Sequence, residues 1–263
     1  QQSVISRLGA ALSPWHRYTL AAERQMFADP RLKAVICISE LVRNDIRRFY
    51  GVPDEKLHVI YNGIDLDRYH PGLAAEHRQD FRSSHGIPAD APLFIYVGSG
   101  FERKGVGPLL TALAQASNPH THLLVVGADK HLTRYQQQAI RLGLGSRVVF
   151  TGGIKDVRPA YGAADAFVLP TLYEPLSNAV LEALACGLPC IVSDHCGAAE
   201  LITPGRNGQV CDALAIGALA QHLDSLAAPG VARGMRDAAR DAVSHLGLAA
   251  MSAKLLALYR SLL

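Results

Sequence analysis

The feature that most constrains this chain is an alternation: short, uninterrupted apolar runs are followed by stretches whose apolar residues recur at helical spacing. Leu93-Phe94-Ile95-Tyr96-Val97 is the clearest run, and strands buried on both faces of a parallel sheet read as continuously apolar in this way. A helix is predicted from about Val106, then a strand His122 to Val126, a helix Leu132 to Leu142, a strand Val148 to Phe150 and a helix Val157 to Ala163. The run Ala166 to Pro170, a helix opening near Ser177, the run Cys190 to Ser193 and a short strand ending at Val210 continue the series. Helical stretches at 213–227, 231–245 and 247–262 finish it. The alternation predicts an α/β fold with a doubly wound, Rossmann-like parallel sheet, whose ligands sit on loops beyond the carboxyl ends of the strands. At 49% apolar and 19% charged residues, the chain can bury a sizeable core.

Two of those loops carry groups suited to an anion. After the run Ala166 to Pro170, Glu174 lies on the loop and Glu182 one turn into the helix, with seven residues between them. Ser177 is placed to cap that helix, so the free N–H groups of Asn178 and its neighbours point outward beside both carboxylates, an arrangement that holds a phosphate. Pro175 and Gly187-Leu188-Pro189 bracket the unit. The second loop, Gly98 to Gly105, follows Val97. Its glycines let backbone approach an anion, and Arg103 and Lys104 can neutralise a diphosphate. Spacing alone leaves the plainer readings open, because Glu is a common surface helix former and an Arg-Lys pair is usually a solvated face.

The first third is organised differently. Leu32 to Ser39 is a buried strand whose last residue can cap a helix Glu40 to Tyr50, Gly51-Val52-Pro53 ends that helix, Lys56 to Tyr61 is a second strand, and Asn62-Gly63-Ile64-Asp65 is a turn. One strand, helix and strand cannot close a parallel sheet with both faces covered, so these residues are expected to belong to a domain whose earlier part lies upstream. The chain lacks an initiator Met and opens inside a helical or irregular segment, Gln1 to Met26, which also reads as a fragment. Two domains are expected, 1–64 and 65–263.

Glu174-Pro175 followed by Leu181-Glu182-Ala183-Leu184-Ala185-Cys186-Gly187-Leu188-Pro189 resembles the E-x7-E signature of retaining GT-B glycosyltransferases of family 4. Gly98 to Gly105 resembles that family's Gly-Arg-x-x-x-Lys-Gly stretch. Its variant here, with Pro175-Leu176-Ser177-Asn178 and Cys196-Gly197-Ala198-Ala199-Glu200, is more similar to the branch that glucosylates the lipopolysaccharide inner core. Ala34 to Ser39, Gly51-Val52-Pro53 and Asn62 to Asp65 resemble the last unit of the family's amino-terminal acceptor domain and its crossing, so the likeness covers nearly the whole chain. Ser177 departs from the pattern, where Gly is usual. A serine there must adopt the glycine's conformation at some cost, or its hydroxyl must replace one contact.

The resemblance implies a nucleotide-sugar donor, expected to be UDP-glucose, a glycan or glycolipid acceptor such as a lipopolysaccharide core, and no metal. Arg103 and Lys104 would stabilise the departing diphosphate with the N–H groups of Ser177 and Asn178. Glu174 would hydrogen-bond the donor sugar and Glu182 the ribose hydroxyls, while the Ile154 backbone would face the uracil ring; Gly98 would let the chain approach the phosphates. It also implies retention of anomeric configuration, and a last helix packed across the interdomain side. Two other readings stay open: a nucleotide-sugar epimerase of the same architecture, and a UDP-binding module without turnover.

Charge and cysteines exclude little else. A net charge of +3 with dispersed Arg and Lys does not suit nucleic acid. Cys37, Cys186, Cys190, Cys196 and Cys211 form no C-x-x-C pair and read as small buried hydrophobes in a reducing compartment. No apolar window reaches the roughly 18 residues of a spanning helix, so a cytoplasmic protein is expected. Trp15, Tyr18 and Phe27 with Arg17 and Arg24 could touch the inner membrane, though packing on the upstream domain is the plainer reading. Asp65-Leu66-Asp67 has the letters of a metal site but lies in the crossing, and His195, beside Asp194, has no nucleophile to serve and reads as a loop residue.

Overall fold

A computed structural model of the chain describes residues 13–263. The first twelve residues of the expected opening segment lie outside the described residues. From Pro14 to Ala28 the segment is a helix, α1, with no buried residue. It leans on the next unit through Phe27, whose ring centroid is 4.5 Å from that of Tyr50.

That unit contains β1 (Val35–Cys37), α2 (Glu40–Tyr50) and β2 (Leu57–Val59), the two strands pairing in parallel. Both strands are shorter than their apolar runs suggest. A 3-10 turn, Asp54–Lys56, takes up the start of the second run, and pairing stops after three residues on each side. Ser39 caps α2 as expected, its side chain accepting from the Val42 N–H at 3.2 Å. Gly51, at φ 66°, ends the helix in the left-handed conformation that glycine adopts without penalty.

Beyond the crossing, six strands form one parallel sheet: β3 (Leu93–Val97), β4 (His122–Val126), β5 (Val148–Gly152), β6 (Ala166–Leu169), β7 (Cys190–Ser193) and β8 (Gly208–Cys211). Their order is β5-β4-β3-β6-β7-β8. The order reverses between β3 and β6, and this is where a doubly wound sheet opens a crevice above its carboxyl edge. The apolar runs fill the centre: Leu93, Ile95, Tyr96, Phe167 and Leu169 are fully buried. The helices are α3 (Leu73–Ser84), α4 (Val106–Gln115), α5 (Leu132–Arg141), α6 (Arg158–Ala163), α7 (Asn178–Ala185) and α8 (Ile216–Ala227). Helix α3 crosses α6 so closely that a Cβ on Gly162 would stand 2.3 Å from the Leu73 carbonyl oxygen.

The expected helix 231–245 is two pieces, α9 (Val231–Gly234) and α10 (Arg236–Asp241), broken after Gly234, a poor interior helix residue. The last helix, α11 (Leu248–Ser261), runs back across the crossing, where the Gly63 Cα leaves room for Leu248 and Met251, and Lys33 Nζ donates to the Leu262 carbonyl at 2.8 Å. All five cysteines are free thiols, four buried and Cys211 half-buried. No described helix is long and apolar enough to cross a membrane.

Candidate functional site

The loops after β3 and β6 meet above the point where the strand order reverses. Backbone bonds stitch them together: the Arg103 carbonyl accepts from the Leu172 N–H at 2.8 Å and from the Thr171 hydroxyl at 3.2 Å, and Ser193 donates to the Thr171 carbonyl at 2.6 Å. Two glycines make the approach possible. A Cβ on Gly105, at φ 78°, would lie 1.9 Å from the Pro170 carbonyl oxygen, and one on Gly127, at φ 147°, equally close to that of Gly98. Asp129 fixes the far side of the first loop by accepting from the Phe101 N–H at 2.8 Å.

This stitching brings Arg103, Lys104 and Glu174 together. Arg103 Nη1 and Lys104 Nζ both lie 3.1 Å from Glu174 Oε2. The side chains of Lys104 and Glu174 are each 14% exposed and that of Arg103 is 51% exposed, so the lysine carries the less screened half of the contact. Here the two cations hold the carboxylate, and Arg103 Nη1 also donates to the Tyr173 carbonyl. Gly98 stands against the same lysine. The space above its Cα is taken by the Lys104 stem, with Cδ at 3.0 Å and Nζ at 3.1 Å from where a Cβ would stand. Its missing side chain therefore makes room for the lysine.

Helix α7 opens beside Glu174. Ser177 occupies the N-cap position, with φ −88° and ψ 112°, but its side chain makes no cap bond. The residue is 3% exposed and its Oγ has no hydrogen-bond partner among the described residues. Burial pushes the nearby Cys196 thiol up to about 11, and the Ala198 and Ser177 N–H groups pull the other way. Among the described residues the N–H groups of Asn178 and Ala179 have no acceptor, as the first turn of a helix requires. The Asn178 side chain accepts from Asn62 Nδ2 at 2.8 Å.

Glu182 points to a pair of tyrosines. Tyr161 donates its hydroxyl to Glu182 Oε2 at 2.8 Å, and Tyr69 packs edge-on to the Tyr161 ring. Burial pushes the Glu182 carboxyl above the usual carboxylate range, and the Tyr161 and Tyr69 hydroxyls oppose it. Ile154 stands beyond β5, half-buried and packed on the core. The Asp65 carboxylate closes a turn by accepting from the Asp67 and Arg68 N–H groups at 3.2 and 3.0 Å. His195 is a loop residue with a side chain 63% exposed.

Contacts from α2 that the sequence did not announce hold this rim. Ser39 donates to the Pro175 carbonyl at 2.6 Å across 136 positions, and Tyr173 donates to Asp45 at 2.8 Å across 128. Glu200 caps α2 from outside, both oxygens 3.1 Å from the Glu40 N–H. Burial raises the Glu200 carboxyl above its ordinary range, against those hydrogen bonds. Gly197 has no room for a Cβ, which would stand 1.9 Å from the Pro175 carbonyl and 2.6 Å from Ser39 Oγ. No local pattern announces these contacts; the residues become partners only once the two sheets dock.

Taken with the strand order, two loops converging on a carboxylate and a helix start define the α/β GT-B-like fold of glycosyltransferases, and comparison with known proteins agrees. Residues 77–241 match the model of glycosyl transferases group 1, and residues 3–68 match that of glycosyltransferase family 4. The chain belongs to the glycosyl transferases group 1 family. The lipopolysaccharide glucosyltransferase WaaG of Escherichia coli K12 is 31% identical over 202 residues, 76% of this chain and 54% of that protein. The structure of sucrose-phosphate synthase from Thermosynechococcus elongatus is similar with a TM-score of 0.81 at 30% identity, over 94% of this chain and 62% of the other. Anabaena HepE, solved in complex with UDP, gives 0.82 at 25% identity, over 95% and 70%. The chain spans about half the length of the relatives it matches, 45%, 54% and 48% of the first three.

Proposed function

We propose that this chain is the donor-binding part of a retaining, metal-independent glycosyltransferase that moves glucose from UDP-glucose to a lipopolysaccharide core or related glycan at the cytoplasmic face of the inner membrane. Residues 65–263 would form the donor domain and 1–64 the end of the acceptor domain. The observation that carries the reading is the convergence of Arg103 and Lys104 on Glu174, 3.1 Å from each, beside the open N–H groups at the start of α7. WaaG, similar over most of the chain, is named for glucose transfer to lipopolysaccharide, and HepE was solved with UDP.

Breaking a sugar–phosphate bond puts negative charge on the nucleoside diphosphate and positive character on the anomeric carbon. Lys104 and Arg103 would exchange the Glu174 carboxylate for the diphosphate oxygens and stabilise them as they leave. The N–H groups of Asn178 and Ala179 and the partnerless Ser177 hydroxyl would add donors, the serine replacing a backbone approach that glycine gives elsewhere in the family. Glu174, freed of its cations, would accept from the donor sugar's hydroxyls. Glu182, aimed by Tyr161, would accept from the ribose diol, for which one carboxylate has enough lone pairs. The basic pair does the work a divalent cation would otherwise do, and the acceptor would attack from the side the diphosphate leaves.

The test has two arms. Calorimetric titration of this chain with UDP should give saturable binding, and the full-length protein should transfer glucose from UDP-glucose to a core acceptor in the presence of EDTA, with α-anomeric product by NMR. The chain alone should not turn over. Absence of UDP binding removes the donor-site reading, whereas binding without transfer by the full protein leaves the binding-module reading in its place.

A further inference from the structure

A second concave site lies at the opposite edge of the sheet. Asp165, just before β6, places its carboxylate between α3 and the amino ends of β3 and β6, and a cavity of about 300 Å3 there is lined by Arg78, Asp165, Arg233 and Arg236. The loops carrying Arg103 and Glu174 leave the carboxyl ends of the same strands. Strands of four or five residues separate the two edges by about 15 Å, at roughly 3.3 Å per residue.

Each oxygen of Asp165 is already engaged. Oδ1 is 2.8 Å from Arg78 Nη2, and Oδ2 is 2.8 Å from Arg82 Nη2 and accepts from the Leu93 N–H at 2.9 Å. Arg82 is 2% exposed and is further satisfied by the carbonyls of Ala163, Pro88, Ala89 and Ala91, so this part is a finished structural network. Arg233 and Arg236 are different. Among the described residues neither side chain makes a hydrogen bond, and neither stands within 4.0 Å of a carboxylate. Three guanidinium groups thus line the cavity against one carboxylate that is fully used, leaving a surplus of two positive charges along its lining. Guanidinium forks match phosphate oxygens in pairs, and like charges held together in a concavity are relieved by a dianion between them.

We propose that this cavity binds a dianionic phosphate group, as inorganic phosphate or a phosphomonoester, with Arg233 and Arg236 as its principal ligands and Arg78 completing the cradle. Nucleic acid does not suit it, because the positive surplus is confined to one cavity and does not continue as a stripe.

The test is an NMR titration of the 15N-labelled 263-residue chain with inorganic phosphate and, separately, glucose 1-phosphate, each in saturating UDP to occupy the donor loops. The expected result is saturable shifts at the amides of Asp165, Arg233 and Arg236, weakened about tenfold or more in R233Q/R236Q, as loss of charge-assisted hydrogen bonds predicts. Tighter binding of glucose 1-phosphate would identify a phosphorylated sugar as the ligand, and equal binding the free ion. R233Q alone, at an exposed position without partners, serves if the double variant loses its fold. The proposal is overturned if those amides do not move in the native chain, or if the folded variant binds within twofold of it. The readout at these amides is the same whether or not UDP binds, so it stands apart from the donor-site reading.

Discussion

Lys104→Met separates a structural lysine from one that meets a diphosphate. At 3.1 Å from Glu174, with both side chains 14% exposed, the pair has a gross Coulomb attraction of about 5 kcal/mol at an effective dielectric of ~20, most of which offsets the cost of desolvating the two charges. If the same ammonium passes to the donor, its removal takes one charge-assisted contact, about 1.5–3 kcal/mol, and raises the Kd for UDP by roughly 10- to 150-fold. Arg103→Ala, at a position 51% exposed, should cost only a few-fold, because solvent screens such contacts to about 0.2–1 kcal/mol. The assay is UDP calorimetry on variants whose near-ultraviolet circular dichroism is native. Glu174→Gln supplies the decisive comparison. Were Lys104 needed only to neutralise Glu174, K104M/E174Q would recover UDP affinity; if Lys104 grips the diphosphate, the double variant stays weak. Recovery of wild-type affinity, or a K104M variant that binds UDP within twofold of wild type, would refute the assignment.

Glu182→Gln should bind UDP more weakly yet be at least as stable at pH 7. Burial raises the Glu182 carboxyl, so the folded state favours its protonated form, and the charged form costs stability progressively as pH rises above the unfolded value near 4.5; thermal melts at pH 4 and 7 should show the variant's advantage only at the higher pH. Tyr161→Phe removes a hydrogen bond that holds the carboxyl down, so the acid limb of the UDP-binding pH profile should move to higher pH, and an unmoved limb would show that Glu182 does not face the nucleotide. Gly105→Ala should lose about 3 kcal/mol or more in urea unfolding, since its Cβ would collide with the Pro170 carbonyl at 1.9 Å, while Gly100→Ala, at a similar φ of 73° with nothing within 4 Å, should lose only about 1–2 kcal/mol. Ser39→Ala should cost about 1–2 kcal/mol by the same measurement, losing both its cap and its bond to Pro175.

What the sequence revealed follows from how local each signal is. The strands β3, β4, β6 and β7 were legible because burial on both faces leaves an unbroken apolar run, and Ser39 and Gly51 were legible because caps act within one turn. The apolar runs of the first unit overstate its strands, since a run such as Lys56 to Tyr61 cannot say where its pairing partner ends. The motifs single out Arg103, Lys104 and Glu174, and the structure brings them into contact. Their mutual pairing has no sequence signal, because charge complementarity across 70 and 71 positions leaves no trace in spacing. Ser177 shows the opposite failure: its helix position was right and its hydrogen bond wrong, because a Ser at an N-cap can turn its hydroxyl elsewhere. Tyr161, Thr171 and Ser193 carry no signal at all, being indistinguishable in sequence from ordinary core residues with a hydroxyl.

The grip of α2 on the loop from Tyr173 to Asn178 has a consequence for how this protein can be divided. A cut at Asp65, although it spares the whole six-stranded sheet, would strip Pro175, Tyr173, Asn178 and Glu200 of the groups that hold them. The smallest piece able to keep its acidic loop in shape therefore starts ahead of Ser39. Inheritance of this half, by recombination or by design, has to carry that helix along with the sheet it serves.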